Sequence, residues 1–380
     1  MHILIITETF LPSTDGVVTR LTNSIRYFLK NGHQVTVIAP DLGLNEFEGA
    51  KVIGLTARKL PFYRSKAFAL PSQRVKKLIM QCDPDVVHVV NPALLGATGV
   101  HFAKKLGYPL IASYHTQVPK YAEYYHLSIF KGILWWYFRK LHNKASINLC
   151  TSNVVKQELD QQQFHNVHVW KRGVDTNLFH PDKSDSDMRT RLTNGIDDKK
   201  LLLYVGRLAP EKEIEKIRTV LEQSDQFVLA IVGDGPHRAE LEQHFQGTNT
   251  VFTGFMHGEE LAQAYASSDV FVFPSTTETL GLVLMEAMAS GLPIVAADSG
   301  PTREQIEHEK HGLLYNSERL EGFKDTVLRL EDEALRNKLA EKAWQDIHEM
   351  GWDDQSKQAL AFYQQVIDSH HIDFDKKECS

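Results

Sequence analysis

Arg207 and Lys212 stand five residues apart in GRLAPEKEI, just past the apolar run LLLYVG, with Glu211 beside the lysine. A guanidinium offers a planar fork to phosphate oxygens and an ammonium a point charge. Two such cations can stabilise a departing diphosphate without a metal, although a solvated loop carries the same pair. Further on, FPSTTETLGLVLMEAMASG places Glu278 in a loop, Leu280, Gly281 and Leu282 at a helix start, and Glu286 about one turn into that helix. This order suits one ligand: the loop carboxylate on sugar hydroxyls, the open helix end on a diphosphate, the inner carboxylate on ribose hydroxyls. Glutamates also collect at helix starts for the dipole alone. His115 closes the run PLIASYH, as a cleft residue or a structural hydrogen-bonder. Gly16, after Asp15, opens a helix that phosphate could approach, or Asp15 simply caps that helix. Gly233 and Gly235 in VGDGPHR permit tight turns near a ligand, but neither half carries the complete G-x-G-x-x-G, which disfavours a nicotinamide enzyme.

These residues need a scaffold. HILIIT, QVTVIA, DVVHVV, PLIASY and INLCTS read as strands in the first half, and LLLYVG, FVLAIVG, TVFTGF, VFVFPS and PIVAAD in the second. Amphipathic stretches such as TRLTNSIRYFLKNG, stopping at Gly32, separate most of them. Near-continuous apolar strands joined by helices predict parallel sheets covered on both faces. Two such series in 380 residues predict two Rossmann-like, doubly wound α/β domains. The polar stretch RGVDTNLFHPDKSDSD marks the boundary. The expected organisation is an N-terminal domain over 1–172, a C-terminal domain over 173–350, a helix over 351–368 returning to the N-terminal domain, and a frayed tail over 369–380. Ligands of open α/β sheets sit outside the carboxyl ends of the strands, so two facing sheets predict a cleft lined by the residues above.

The 42% hydrophobic and 24% charged content is that of a folded soluble protein. The apolar runs are strand-length, short of the roughly 18 residues needed to span a bilayer. MHILIITETF reads as a strand and lacks the marks of a signal peptide. Cys82, Cys150 and Cys379 are scattered, with neither disulfide nor zinc spacing, so a cytoplasmic location is expected. Residues 1–172 hold 21 Lys and Arg against 10 Asp and Glu, a balance of +11, while the remainder carries −17 within a total of −6. A basic half suggests an anionic partner, a membrane surface or polyanion, or else uneven surface solvation.

GRLAPEK, GDGP, the Glu278-x7-Glu286 element and the SYHT strand end, in this order, resemble glycosyltransferase family 4 across nearly the whole chain. That resemblance implies the GT-B fold, transfer with retention, and chemistry without a divalent metal or other cofactor. Within the family, TETFLPSTDGVVTRL, FEGAKVIG, HVVNPALLG, SYHTQVPKY and WKRGVDTNLFHP look like the bacterial and plant sulfolipid synthases. These move sulfoquinovose from UDP-sulfoquinovose to diacylglycerol. Lipid mannosyltransferases using GDP-mannose and glucosyltransferases using UDP-glucose share the general motifs. One departure is PTREQIEHEKHG after AADSG, where relatives often carry a glycine-isoleucine-proline run.

The resemblance implies a role for each residue. Gly16 brings its loop against the diphosphate or donor sugar. Arg207 and Lys212 hold the diphosphate, Glu278 the donor sugar and Glu286 the ribose. Leu280, Gly281 and Leu282 supply backbone N–H groups, and His115 lies at the reacting face. The base falls near Gly233, Asp234, Gly235, Pro236, Phe255 and Met256. A sulfonated sugar needs a cation, for which Arg20, Lys120 and Arg172 are candidates. No metal ligand set and no nucleic-acid partner is expected. The segment 125–145 sets Trp135, Trp136, Tyr137 and Phe138 beside Lys131, Arg139, Lys140 and Lys144. It reads as a peripheral docking element for the cytoplasmic face of a membrane, or as a core helix whose aromatics pack on the first sheet. The rival functions are a non-catalytic nucleotide-sugar-binding protein and a phosphorylase, for which no pyridoxal-phosphate lysine site is identifiable.

Overall fold

The computed structural model describes every residue except 14, 61–62, 117–130, 277–280, 320, 349 and 379–380. It divides into two compact units, Met1–Arg172 with Trp352–Ser380, and Gly173–Gly351.

The first unit carries strands β1 (His2–Thr7), β2 (Gln34–Pro40), β3 (Glu46–Phe47), β4 (Ala50–Leu55), β5 (Ala57–Leu60), β6 (Tyr63–Ala69), β7 (Val86–Val90), β8 (Leu110–Tyr114), β9 (Ile147–Cys150) and β10 (Val167–Val169). Eight form a sheet in the order β10-β9-β8-β7-β1-β2-β4-β3, parallel except at the β3–β4 edge, and β5 and β6 form a separate antiparallel ribbon. Alternation along β1 builds two core layers. Ile3 and Ile5 pack with Leu21, Ile25 and Phe28, whereas Leu4 and Ile6 pack with Val75, Ile79 and Val100. Leu21, Ile25 and Phe28 lie on one face of the Gly16–Lys30 helix, and burying each is worth about 2 kcal/mol. Asp15 caps that helix by accepting from the Val18 N–H at 3.2 Å.

The Trp352–Glu378 helix completes this layer, running on through the stretch where the sequence pattern predicts fraying. Ala359, Tyr363, Val366 and Ile367 join the cluster around Ile3 and Ile5. The Trp170 indole N–H donates to the Gln355 carbonyl at 3.0 Å, and the Lys171 N–H to Gln358 Oε1 at 2.8 Å. The helix is acidic, so the first unit carries 24 Lys and Arg against 16 Asp and Glu, or +8 rather than the +11 of residues 1–172.

The second unit carries β11 (Lys200–Val205), β12 (Phe227–Val232), β13 (Thr250–Gly254), β14 (Val270–Phe273), β15 (Ile294–Ala297) and β16 (Gly312–Tyr315). They form one parallel sheet in the order β13-β12-β11-β14-β15-β16. Asp185, in the segment read as linker, caps the Ser186–Thr193 helix of this unit by accepting from the Met188 N–H at 2.7 Å. Among the described residues no helix is long and apolar enough to cross a membrane.

Candidate functional site

The strand order of the second unit reverses between β11 and β14, which opens a crevice at their carboxyl ends. Arg207 follows β11, and Lys212 closes the Pro210–Lys212 turn. Glu211 is buried and pairs with Arg207, so the guanidinium is held by a carboxylate and the local balance is one positive charge. Lys212 is also buried, with its ammonium 5.8 Å from the centre of the Phe273 ring. Ser275, after β14, donates from Oγ to the Glu211 carbonyl at 3.3 Å and ties the two loops together. Gly281, at φ 57°, then caps the Leu282–Ala289 helix, a backbone state that a side chain would strain. Glu278 and Leu280 lie outside the described residues.

Glu286 is partly accessible and accepts from the Tyr265 hydroxyl at 3.0 Å. Burial pushes its pKa up to about 7 against the downward pull of that hydrogen bond. Gly233 and Gly235 also have a packing reason. A Cβ on Gly233 would stand 2.0 Å from the Gly206 carbonyl oxygen, and one on Gly235 2.1 Å from that of Leu208. They are glycines because the loops after β11 and β12 touch backbone to backbone, which supports the Arg207 loop from behind. Asp234, half-exposed, accepts from the Gly235 N–H at 2.7 Å and faces Arg238 at 3.5 Å, and the exposed Pro236 follows. Of the pair expected near the base, Phe255 is exposed and stacks on His257, whereas Met256 is buried.

The first unit has its own reversal point, between β1 and β7, and fills it with its own side chain. Glu8 is buried there and accepts from the N–H groups of Ala93, Leu94, Leu95 and Gly96 at 2.8–3.2 Å. A carboxylate thus occupies the helix start where a phosphate would bind. Desolvation raises its pKa, partly offset by the four N–H donors.

His115 is buried at the end of β8. Its Nε2 lies 2.9 Å from Ser113 Oγ, which lies 2.9 Å from Nε2 of His88, whose Nδ1 lies 2.8 Å from the Tyr363 hydroxyl. Burial, then Arg20, pulls the His88 pKa down to about 3 and that of His115 well below the usual range, so both rings are neutral at pH 7. The buried Tyr363 hydroxyl has His88 Nδ1 as its hydrogen-bond partner. The relay continues through Ser113 Oγ to His115 Nε2.

The three sulfonate candidates separate: Arg172 is half-buried near Arg20, and the other two differ from it. Arg20 is fully buried over the Trp170 ring, 4.4 Å from its centre, and donates from Nη2 to the carbonyls of Trp170 and Lys171 at 3.3 and 2.6 Å. Burial, then the neighbouring Arg172, lowers its pKa to about 9, which leaves it charged at pH 7. Lys120 lies outside the described residues. Gly16 is the first residue of its helix, behind the Asp15 cap.

The aromatic run also divides, contrary to a wholly membrane-facing reading. In the Lys131–His142 helix, Trp135 and Phe138 pack against Tyr114 and Phe164 in the core, while Ile133 and Trp136 are exposed. Helical spacing sends neighbouring rings to opposite faces.

Sequence reasoning missed Glu8, although it follows a strand directly and the strand-end rule reaches it. It also missed His88, Ser113 and Tyr363, because a contact spanning 275 residues leaves no local signal. Among the described residues no three His, Cys, Asp or Glu side chains gather as metal ligands would.

Comparison with known proteins agrees with this architecture. The profile of Glycosyltransferase Family 4 matches residues 14–178, and that of Glycosyl transferases group 1 matches residues 189–346. The chain is 37% identical over 347 residues to sulfoquinovosyl transferase SQD2 of Arabidopsis thaliana, covering 89% of this chain and 68% of the relative. It is 38% identical over 347 residues to a GDP-mannose-dependent alpha-mannosyltransferase of Mycobacterium tuberculosis, covering 90% of each. Sucrose-phosphate synthase from Thermosynechococcus elongatus superposes with a TM-score of 0.80 at 20% identity, covering 97% of this chain and 99% of its own, which gives the fold as GT-B. Two Rossmann-like units, matched profiles over both and relatives at this identity make the chain a glycosyltransferase, a member of glycosyltransferase family 4.

Proposed function

We propose that the chain is a retaining, metal-independent transferase that moves sulfoquinovose from UDP-sulfoquinovose to diacylglycerol. The observation that carries a nucleotide-sugar reading is the meeting of Arg207, Lys212 and the Leu282–Ala289 helix start at one reversal point of the second sheet. As the anomeric bond to the diphosphate breaks, negative charge grows on the leaving oxygen and positive charge on the sugar. Arg207, held by Glu211, together with Lys212 and the helix N–H groups, stabilises that negative charge. Glu286 in its ionised form accepts from ribose hydroxyls, and Glu278 takes the sugar. His115 serves the sugar at its reacting face. The lipid hydroxyl attacks the face the diphosphate leaves, and the diphosphate assists removal of its proton.

The sulfoquinovosyl choice rests on the quoted sequence strings and on the similarity to the Arabidopsis relative. Mannosyl transfer from GDP-mannose is the second reading, favoured by the equal identity of the mycobacterial relative, and glucosyl transfer from UDP-glucose the third. A lipid acceptor calls for peripheral binding at the cytoplasmic membrane face, through exposed Ile133 and Trp136 and the nearby Lys140. The test is incubation with UDP-sulfoquinovose, UDP-glucose or GDP-mannose and diacylglycerol vesicles, followed by mass analysis of the lipid. A sulfonated glycolipid formed in preference to the others supports the first reading; a mannosyl or glucosyl lipid alone replaces it.

A further inference from the structure

Arg20 lies where an unpaired cation is costly. It is 0% exposed, and while Nη2 reaches two carbonyls, its Nε and Nη1 are buried without an acceptor among the described residues. Taking an ion out of water costs several kcal/mol unless a partner of opposite charge compensates. Among the described residues none does. The charged neighbour acting on Arg20 most strongly is Arg172, which repels it, and the rings of His88 and His115 beside it are neutral. Glu8, the buried acid of this unit, is engaged by four backbone N–H groups.

The polar hydrogens around this point are therefore donors. Arg20 retains the Nε–H and both hydrogens of Nη1, and the neutral His115 ring lies beside it against the same Trp170 ring. Arg20 is on the helix after β1, His115 ends β8, and Trp170 and Arg172 follow β10. All three positions belong to the carboxyl edge of the first sheet, where α/β sheets bind ligands. A cationic ligand is repelled there, and a neutral one leaves the charge uncompensated. An oxyanion with several acceptor oxygens matches the guanidinium fork.

We propose that Arg20, with Arg172 and His115 beside it, forms an oxyanion-binding site within the first unit, taking a tetrahedral sulfonate or phosphate group carried by a substrate. The proposal deepens the functional reading, because a sulfonate on the donor sugar is such a group, but oxyanion binding is measurable without turnover.

The test has two stages. Melting of the full chain is followed in methanesulfonate and in inorganic phosphate, with sodium chloride at equal ionic strength and neutral dimethyl sulfone as controls. Wild type should gain a saturable rise in Tm with the oxyanions alone. Arg20→Met removes the uncompensated charge and should lose the rise. Arg20→Lys keeps the charge without the fork and should show a weaker rise even if the methionine variant folds poorly. The second stage identifies the source. If the group is the sugar sulfonate, Arg20→Lys raises KM for UDP-sulfoquinovose about ten-fold more than KM for UDP-glucose, the scale of one charge-assisted hydrogen bond. If it is an acceptor phosphate, the variant raises KM for phosphatidylinositol vesicles by that factor with every donor. Either result supports the site. Oxyanion stabilisation that Arg20→Lys weakens, in a chain that transfers no sugar from any donor, supports the site and defeats the functional reading. An equal Tm in oxyanion and chloride, or equal stabilisation of wild type and Arg20→Met, overturns the proposal.

Discussion

Glu286→Gln isolates the proposed ribose contact. The Glu286 carboxyl has its pKa raised from 4.5 to about 7 by burial. A ribose hydroxyl donates best to the ionised form, so binding a UDP-sugar should expel the proton that Glu286 holds near neutrality. At pH 6 about a tenth of the free protein is ionised there and at pH 8 about nine-tenths, so Kd for UDP-glucose should be about ten-fold weaker at pH 6. UDP-glucose is the suitable probe because its diphosphate has no ionisation in this range. The folding balance runs the other way. Between pH 4.5 and 7 the folded protein holds a proton that the unfolded chain has released, so this contribution is present at low pH and lost as pH rises through 7. From pH 8 to 5.5 it should add about 2 kcal/mol, less whatever solvent access screens. Calorimetric titration between pH 5.5 and 8.5, with urea unfolding of the same samples, reads both quantities. Glu286→Gln should bind more weakly at pH 8, lose the pH dependence of Kd, and lose its share of the stability slope. A flat wild-type affinity, or a variant that binds like wild type throughout, would show that Glu286 does not hold the ribose.

Lys212→Ala and Arg207→Ala should each lower turnover by about two to three decades, the usual loss for one donor at a developing anion. Their stabilities should differ, because Arg207→Ala strands the buried Glu211 and costs about 3 kcal/mol in urea unfolding, a loss that adding Glu211→Gln should restore without restoring turnover. Recovery of turnover in that double variant would remove Arg207 from the leaving-group role. In the first unit, burial lowers the pKa values of His88 and His142 from 6.5 to about 3 and about 4. The unfolded chain takes up protons below 6.5 that the folded chain refuses, so this stability is full above 6.5 and is lost as pH falls. The two together should cost about 3 kcal/mol between pH 7.5 and 5.5, on top of a loss of the same sign from His115, with His142→Gln removing about half of the pair's share; a rise in first-unit stability on acidification would refute the reasoning. Glu8→Ala should destabilise the first unit by about 3 kcal/mol while leaving the Kd for UDP-glucose unchanged, since it uncovers four N–H groups far in sequence from the donor residues; a large loss of nucleotide affinity would contradict the placement of the donor in the second unit.

The sequence by itself determined the alternation of apolar strands with helices, because each parallel strand is buried on both faces and must be nearly all apolar, as in FVLAIV and LLLYV. It also pointed to Arg207, Lys212, Gly281 and Glu286, because strand ends and helix starts are marked locally by Gly and charged residues. The strands β3, β4, β5, β6, β10 and β16 were missed; β3, β10 and β16 have two to four residues, too little pattern to separate from a loop, and β4, β5 and β6 mix apolar with polar residues. Roles decided by distant partners were out of reach. Gly233 reads only as a tight-turn glycine near a ligand until the Gly206 carbonyl is placed against it. Trp135 and Trp136 are identical in composition and differ only in which side of one helix meets the core. Arg20 is one basic residue among 42 Lys and Arg in the sequence. Only tertiary structure buries it against Trp170 with no counter-ion among the described residues, and links His115 through Ser113 and His88 to a tyrosine 248 residues further along the chain, because desolvation and hydrogen bonding depend on what packs around a group.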